Sequence, residues 1–136
     1  MSERNVEVVR QAYAALNERD FDSLMKLMDP DHLFDVSRSI GPQKGVYRGP
    51  DEYRHYVSDF LDAFEVYEAT PVEVDVGPHG HIVVRFHVRA KGRGSGLVWE
   101  NEPEATSVFE VRDGRILSNT LYQRRTEALK AVGLED

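Results

Sequence analysis

A chain of 136 residues, 40% hydrophobic and 30% charged, is long enough for one domain with its own core and is balanced as a globular rather than a disordered protein. Its net charge of −7 argues against a basic nucleic-acid-binding face, and the absence of cysteine excludes disulfides, thiolate catalysis and zinc–thiolate sites. No apolar run approaches the roughly 18 residues of a membrane helix, and the opening Ser2-Glu3-Arg4-Asn5 has no apolar signal core, so a cytoplasmic protein without membrane contact is expected.

The first helix is expected from about Glu3 to Glu18, with Ser2 as cap and Val6, Val9, Tyr13 and Leu16 on one face. A second begins at Asp20, carries Phe21, Leu24, Leu27 and Met28, and stops at Asp29-Pro30, because the residue before a proline disfavours the helical region. His32 to Val36 reads as a short strand. Ser37 to Tyr47, with Gly41, Pro42 and Gly45, reads as a loop. The third helix has the clearest start: Gly49 at the cap, Pro50 in the first turn, then Asp51 and Glu52 where the helix dipole favours acids. Its broad apolar stripe is Tyr53, Tyr56, Val57, Phe60, Leu61 and Phe64.

After Phe64 the period changes to two. Val72, Val74 and Val76 alternate with Glu73 and Asp75, and Gly77-Pro78-His79-Gly80 turns the chain. Ile82 to Arg89 alternates again, and Gly92, Gly94 and Gly96 make another turn. Strands from Leu97 to Val111 and from Arg115 to about Arg124 flank an Arg112-Asp113-Gly114 hairpin turn. A short helix from Thr126 to Val132 closes at Gly133. No repeat or linker divides 1–136, so one α+β domain with about five or six antiparallel strands is expected.

The stretch Ala12-Tyr13-Ala14-Ala15-Leu16-Asn17-Glu18-Arg19-Asp20, with Asp29-Pro30-Asp31, Tyr47-Arg48-Gly49, Val111-Arg112-Asp113-Gly114-Arg115-Ile116 and Glu127-Ala128-Leu129-Lys130-Ala131-Val132-Gly133-Leu134, resembles the SnoaL-like branch of the nuclear-transport-factor-2-like superfamily over roughly Asn5 to Leu134. Each phrase is a cap, a turn or a core element, so the resemblance speaks to fold. It implies a cone-shaped roll: three N-terminal helices packed on a strongly bent antiparallel sheet, a pocket inside, and homodimers through the outer sheet face. The family includes isomerases, cyclases, epoxide hydrolases, dehydratases and non-catalytic binders, so fold alone does not choose among them.

Strand alternation predicts what enters the pocket. His32, Phe34 and Val36 point in, and Leu33 and Asp35 point to the other face. Val84, Phe86, Val88, Ala105, Ser107, Phe109, Val111, Leu117, Asn119, Leu121 and Gln123 follow, joined by Tyr13 and by Tyr53, Tyr56 and Phe60. Val83 and Val108 fall on the outer face. Trp99 either caps the mouth or packs in the dimer interface. The ketosteroid-isomerase relatives need a carboxylate base, a tyrosine and a protonated acid; matching residue by residue, those positions hold Val36, Ala12 and Ser107 or Thr106, so the set is missing. The epoxide-hydrolase pattern also lacks its acids beside Arg85 and Arg89. The dehydratase-like pair has one candidate, His32 with Asp35, and His32 reads more readily as a core or rim histidine. His79 and His81 sit at a glycine turn with no third ligand, so no metal is expected, and no cofactor is implied. Arg85, His87 and Arg89 form an outer row suited to pairing with Glu100, Glu102 or Glu110.

The expected function is therefore a pocket for a small, largely apolar ligand, contacted by Tyr13, Phe34, Tyr53, Tyr56, Phe86, Trp99, Ser107, Asn119 and Gln123. The alternative is a SnoaL-like isomerase, cyclase or dehydratase moving a proton on a cyclic or polyketide-like substrate, with His32 or Asp35 as base.

Overall fold

Helix α1 (Ser2–Asn17) and helix α2 (Phe21–Lys26) meet at a corner built by the Leu16-to-Asp20 motif in this computed structural model, which describes residues 2–38, 43–100 and 105–134. The helix already includes Ser2, and a capping role for the Ser2 side chain lies outside the described residues. Asp20 N–H donates to the Ala15 carbonyl (2.9 Å) and Arg19 N–H to the Leu16 carbonyl (3.0 Å), a Schellman closure with Arg19 at φ +56° in the left-handed region. Arg19 is then tied across the fold, where Nη2 donates to the Phe64 carbonyl at 2.9 Å. Asp20 caps α2 by accepting from Ser23 N–H. Asn17 clamps the first long strand as a neighbouring strand would: its Nδ2 donates to the Ala69 carbonyl (2.9 Å) and its Oδ1 accepts from Ala69 N–H (2.8 Å). This corner motif thus sets backbone geometry.

Helix α2 stops at Lys26, earlier than Asp29-Pro30 suggested, and strand β1 (Met28–Asp35) begins two residues on. Tyr47, expected in a loop, lies in the short strand β2 (Val46–Arg48), while Gly41 and Pro42 lie outside the described residues. Helix α3 (Gly49–Asp62) starts one residue earlier than expected, with Arg48 rather than Gly49 at the N-cap. Pro50 is in its first turn, and the Arg48 N–H donates to Glu52 Oε1 at 2.9 Å. Tyr53, Val57 and Leu61 are buried on its inner side.

The remaining strands are β3 (Phe64–Val76), β4 (Ile82–Gly92), β5 (Val98–Glu100), β6 (Thr106–Arg112) and β7 (Arg115–Tyr122), followed by helix α4 (Arg125–Ala131). They form one curled, open sheet of seven strands in the order β2-β1-β7-β6-β4-β3, with β5 also on β4. The architecture is the α+β cone that was expected, with three corrections, the first being seven strands rather than five or six. β1 pairs with β7 in parallel, so the sheet is antiparallel except at that seam. The single strand expected from Leu97 to Val111 is two strands, β5 and β6, both paired with β4; the stretch 101–104 lies outside the described residues. The β6–β7 hairpin turns on Asp113 (φ +53°) and Gly114 (φ +77°), the two positive φ values of a type I′ turn.

Register shifts fall between Met28 and Leu33, Phe64 and Val66, Pro71 and Glu73, and Glu110 and Val111, and the last two bear on the expected alternation. Between Pro71 and Glu73 the β3–β4 register shifts, leaving Val72 as the extra residue, 48% exposed. Between Glu110 and Val111 the β6–β7 register shifts, leaving Leu117 unpaired and placing Ile116 in the core instead. The outer sheet face also differs from expectation. Val83 and Val108 pack under α4 against Ala128, Leu129 and Val132 in a second small core. Their burial removes the exposed-valine argument for a dimer on that face.

Candidate ligand cavity

Inside the cone lies a cavity of about 410 Å³. It falls within the ordinary range of small-molecule sites. One wall is a continuous run of aromatic rings. Phe34 meets Tyr53 at 4.9 Å and Tyr56 at 5.1 Å, Tyr56 stacks on Phe60 at 5.9 Å and 11°, and Phe60 meets Tyr67 edge-on at 5.2 Å. These spacings are those of mutually attractive ring pairs. The opposite side holds Phe86 and Phe109, each 5.9 Å from the Tyr13 ring, with Val88, Ala105 and Leu121. The wall exists because α3 repeats large apolar residues at helical spacing while β1 and β3 present alternate residues to the same space.

All nine residues anticipated as ligand contacts line this cavity: Tyr13, Phe34, Tyr53, Tyr56, Phe86, Trp99, Ser107, Asn119 and Gln123. Sequence reading missed Ala12, Leu16, Met28, Val57, Tyr67, Ala69 and Ile116. Tyr67 and Ala69 lie before Val72, the first residue named in the alternation, although Val66 and Tyr67 carried a β-forming composition that pointed to a strand already there.

The polar groups are few and uncharged. Tyr13 is hydrogen-bonded to Ser107. Asn119 Oδ1 is enclosed and has no hydrogen-bond partner among the described residues. Burial raises the pKa of Tyr13, Tyr53 and Tyr67 well above the ordinary phenol value, and burial helped by Tyr47 pushes Tyr56 up to about 12. Every phenol lining the cavity therefore keeps its proton at neutral pH and remains a donor. Among the described residues, no carboxylate, imidazole, ammonium or guanidinium lines the space.

The two anticipated catalytic residues are not brought together there. His32 is fully buried, with its ring 4.9 Å from that of Tyr53 at 63°, and it does not line the cavity. Burial lowers its pKa to about 4, partly opposed by Asp29, so the ring is neutral at pH 7. Neither ring nitrogen has a hydrogen-bond partner among the described residues. Asp35 lies on the other strand face, accepting from Ser37 N–H (3.0 Å) and Ser37 Oγ (2.6 Å), with Arg38 at 3.5 Å. Partial burial pushes its carboxyl up, and the Ser37 hydrogen bonds with Arg38 outweigh this and hold it below the ordinary carboxylate value. His32 and Asp35 therefore do not form a pair aimed at the cavity.

On the outer face the basic row is paired within the chain. His87 sits 3.2 Å and Arg89 3.8 Å from Glu100, Arg85 is 3.7 Å from Glu73, and Arg125 of α4 also bonds Glu73. His81 lies 3.8 Å from Glu110; Glu102 lies outside the described residues. No described helix is long and apolar enough to cross a membrane.

The model of the SnoaL-like domain matches residues 9–119, and the chain belongs to that family. No curated protein matches the sequence. Solved structures do. Bal32a, from a soil-derived mobile gene cassette, is 21% identical over 89% of each chain, with a TM-score of 0.75. A nuclear-transport-factor-2-like protein of unknown function from Burkholderia pseudomallei is 19% identical over 95% of this chain and 97% of its own, with a TM-score of 0.75. TerC, co-crystallised with polyporic acid, is 16% identical over 95% of this chain and 97% of its own, with a TM-score of 0.74. At these identities the likeness is one of fold.

Proposed function

We propose that the protein binds an uncharged, largely apolar small molecule in the cone, held by ring contacts and oriented by one or two hydrogen bonds. The observation that carries this reading is the cavity lining: aromatic and aliphatic walls, protonated phenols, and amide and hydroxyl groups, with no charged partner among the described residues. A charged ligand would lose its hydration without an opposite charge to replace it, a cost of several kcal/mol by the usual desolvation argument. At protein-like packing density, about 410 Å³ accommodates roughly 15 non-hydrogen atoms. That a fold neighbour was co-crystallised with polyporic acid is consistent with a cone that holds a small molecule.

The test is a matched pair of probes at pH 7, 4-cyclohexylphenol and 4-cyclohexylbenzoate, which share their hydrocarbon and differ in charge. The neutral phenol is expected to raise the melting temperature in a concentration-dependent way, with the benzoate at least about tenfold weaker. Equal binding of both, or of neither, would overturn the reading.

Proton-transfer chemistry is a second reading, favoured by one contact: the neutral His32 ring packs on Tyr53, whose own ring lines the cavity. In that reading His32 acts as base once Tyr53 moves aside, and His32→Ala abolishes turnover of a cyclic ketone substrate while the fold is kept. Turnover that survives the change would remove it. Homodimer formation also remains a proposal. Sedimentation at micromolar concentration tests it, and the expected surface is the sheet flank outside the area covered by α4.

A further inference from the structure

Exposure and lining coincide at one place in the molecule. Leu97, Val98 and Trp99 are 71%, 59% and 50% exposed, three consecutive large apolar residues in solvent, yet Trp99 also lines the cavity. Large apolar side chains left in water beside an apolar cavity are the kind that mark a functional surface rather than an ordinary one. The strand that carries Val98 and Trp99, β5, has three residues and is bonded to β4 alone.

The turn before it has a fixed root and a middle that packs against nothing else. At the root, Arg93 N–H donates to the Ala63 carbonyl (3.0 Å), its Nε to the Asp62 carbonyl (3.1 Å) and its Nη2 to the Phe64 carbonyl (3.2 Å). Cations are favoured at a helix C-terminus, so the end of α3 is a strong anchor for this guanidinium. The Phe64 carbonyl is the one that Arg19 also grips, and the Phe64 ring begins the aromatic wall, 5.3 Å from Phe60. Beyond the root, Gly94 and Gly96 sit at φ +83° and +68°, and a Cβ at either would meet nothing within 4 Å. Neither position is packed against a neighbour, and the turn is closed by the Gly96 N–H on the Gly92 carbonyl (3.2 Å) and the Gly92 N–H on the Leu97 carbonyl (2.9 Å), two bonds within the turn itself.

We propose that 97–100 is a strap that folds the Trp99 indole over the cavity mouth when a ligand is inside, turning on Gly94 and Gly96 with Arg93 as its fixed root. The proposal rests on the cavity being a ligand site. An occupied cavity offers the indole an apolar surface that the empty one does not, so occupancy favours the closed position by burying the ring. Val98 shares the strand face of Glu100 on the outer side, so the exposure of Trp99 alone is expected to fall.

Trp99 is the sole tryptophan of the chain, so its fluorescence reports the strap directly. Binding is read separately, by calorimetry with 4-cyclohexylphenol as probe. With the probe bound, acrylamide quenching of Trp99 is expected to fall about threefold, and Trp99→Ala is expected to raise the dissociation rate by roughly tenfold with the association rate unchanged, because the strap closes only after the ligand has entered. Calorimetric binding with unchanged quenching would overturn the strap and leave the cavity reading intact. A Trp99→Ala variant with an unchanged dissociation rate would also overturn it, since the indole would then hold no ligand in. No heat of binding from the neutral probe would overturn the cavity reading and the strap with it.

Discussion

The cone's interior and its rim break the same rule in opposite directions. Behind the aromatic wall, His32 is a buried polar side chain whose nitrogens have no partner among the described residues. At the rim, Trp99 with Leu97 and Val98 is apolar surface left in water. An unpaired buried polar group costs about 1–3 kcal/mol, and exposed apolar area forgoes roughly 25 cal/mol per Å². Much of the rest follows the ordinary pattern, with apolar residues under helices and charges paired on the outer face, Asn119 Oδ1 and the exposed Val72 aside. The difference teaches that local stability explains most of the fold, and that His32 and the rim flank the space where a ligand would sit.

The largest expected effect lies in the wall between those exceptions. Phe34 is buried against Tyr47, Tyr53 and Tyr56. Phe34→Ala is expected to destabilise by about 3–5 kcal/mol, read from urea unfolding. A loss under about 1 kcal/mol would mean that the wall is a loose lining rather than core.

His32 gives the next effect, and it depends on pH. Its pKa is about 4 in the folded chain against an ordinary 6.5, because burial disfavours the imidazolium. Between those two values the unfolded chain binds the extra proton, so stability is fully present above pH 6.5 and is lost as pH falls toward 4. The loss amounts to about 3 kcal/mol. Asp29 and Asp35 are held below the ordinary carboxylate value, so their contributions fade only at lower pH. His32→Leu, which removes the titrating ring, should flatten the urea midpoint between pH 7 and about 4.5. A variant that keeps the wild-type slope would assign that slope to another group.

The smallest expected effect is at the rim. Leu97→Ser, at the most exposed of the large apolar positions, should change stability by no more than about 0.5 kcal/mol. A loss of 2 kcal/mol or more would show that the strap is packed in solution, and the contrast between interior and rim would fail.

Much of the container was legible because it is written in local signals. Asp20 as a cap, Pro50 at a helix start and Asp113-Gly114 at a hairpin each act within a few residues. The inward set on β4 followed from period two, with Val84, Phe86 and Val88 all buried. Legibility ended where partners are distant. The parallel seam of β1 with β7 joins segments more than 80 residues apart, and nothing local announces it. The bulges at Val72 and Leu117 shift the alternation by one residue; Pro71 was a usable warning for the first, since a strand proline marks an edge or a bulge. His32 was read as inward by alternation, and it does point inward, but Tyr53 stands between it and the cavity. Alternation gives direction, not depth.

The most direct measurement is calorimetry of 4-cyclohexylphenol with the wild-type chain and with Ala69→Phe. The Ala69 side chain lines the cavity from β3, so a benzyl group there fills the space that a ligand would use. The account expects one-to-one binding to the wild type with a negative heat-capacity change, the mark of apolar burial, and loss of binding in Ala69→Phe while cooperative unfolding is retained. Equal binding to both chains would place the ligand outside the cone and contradict the account.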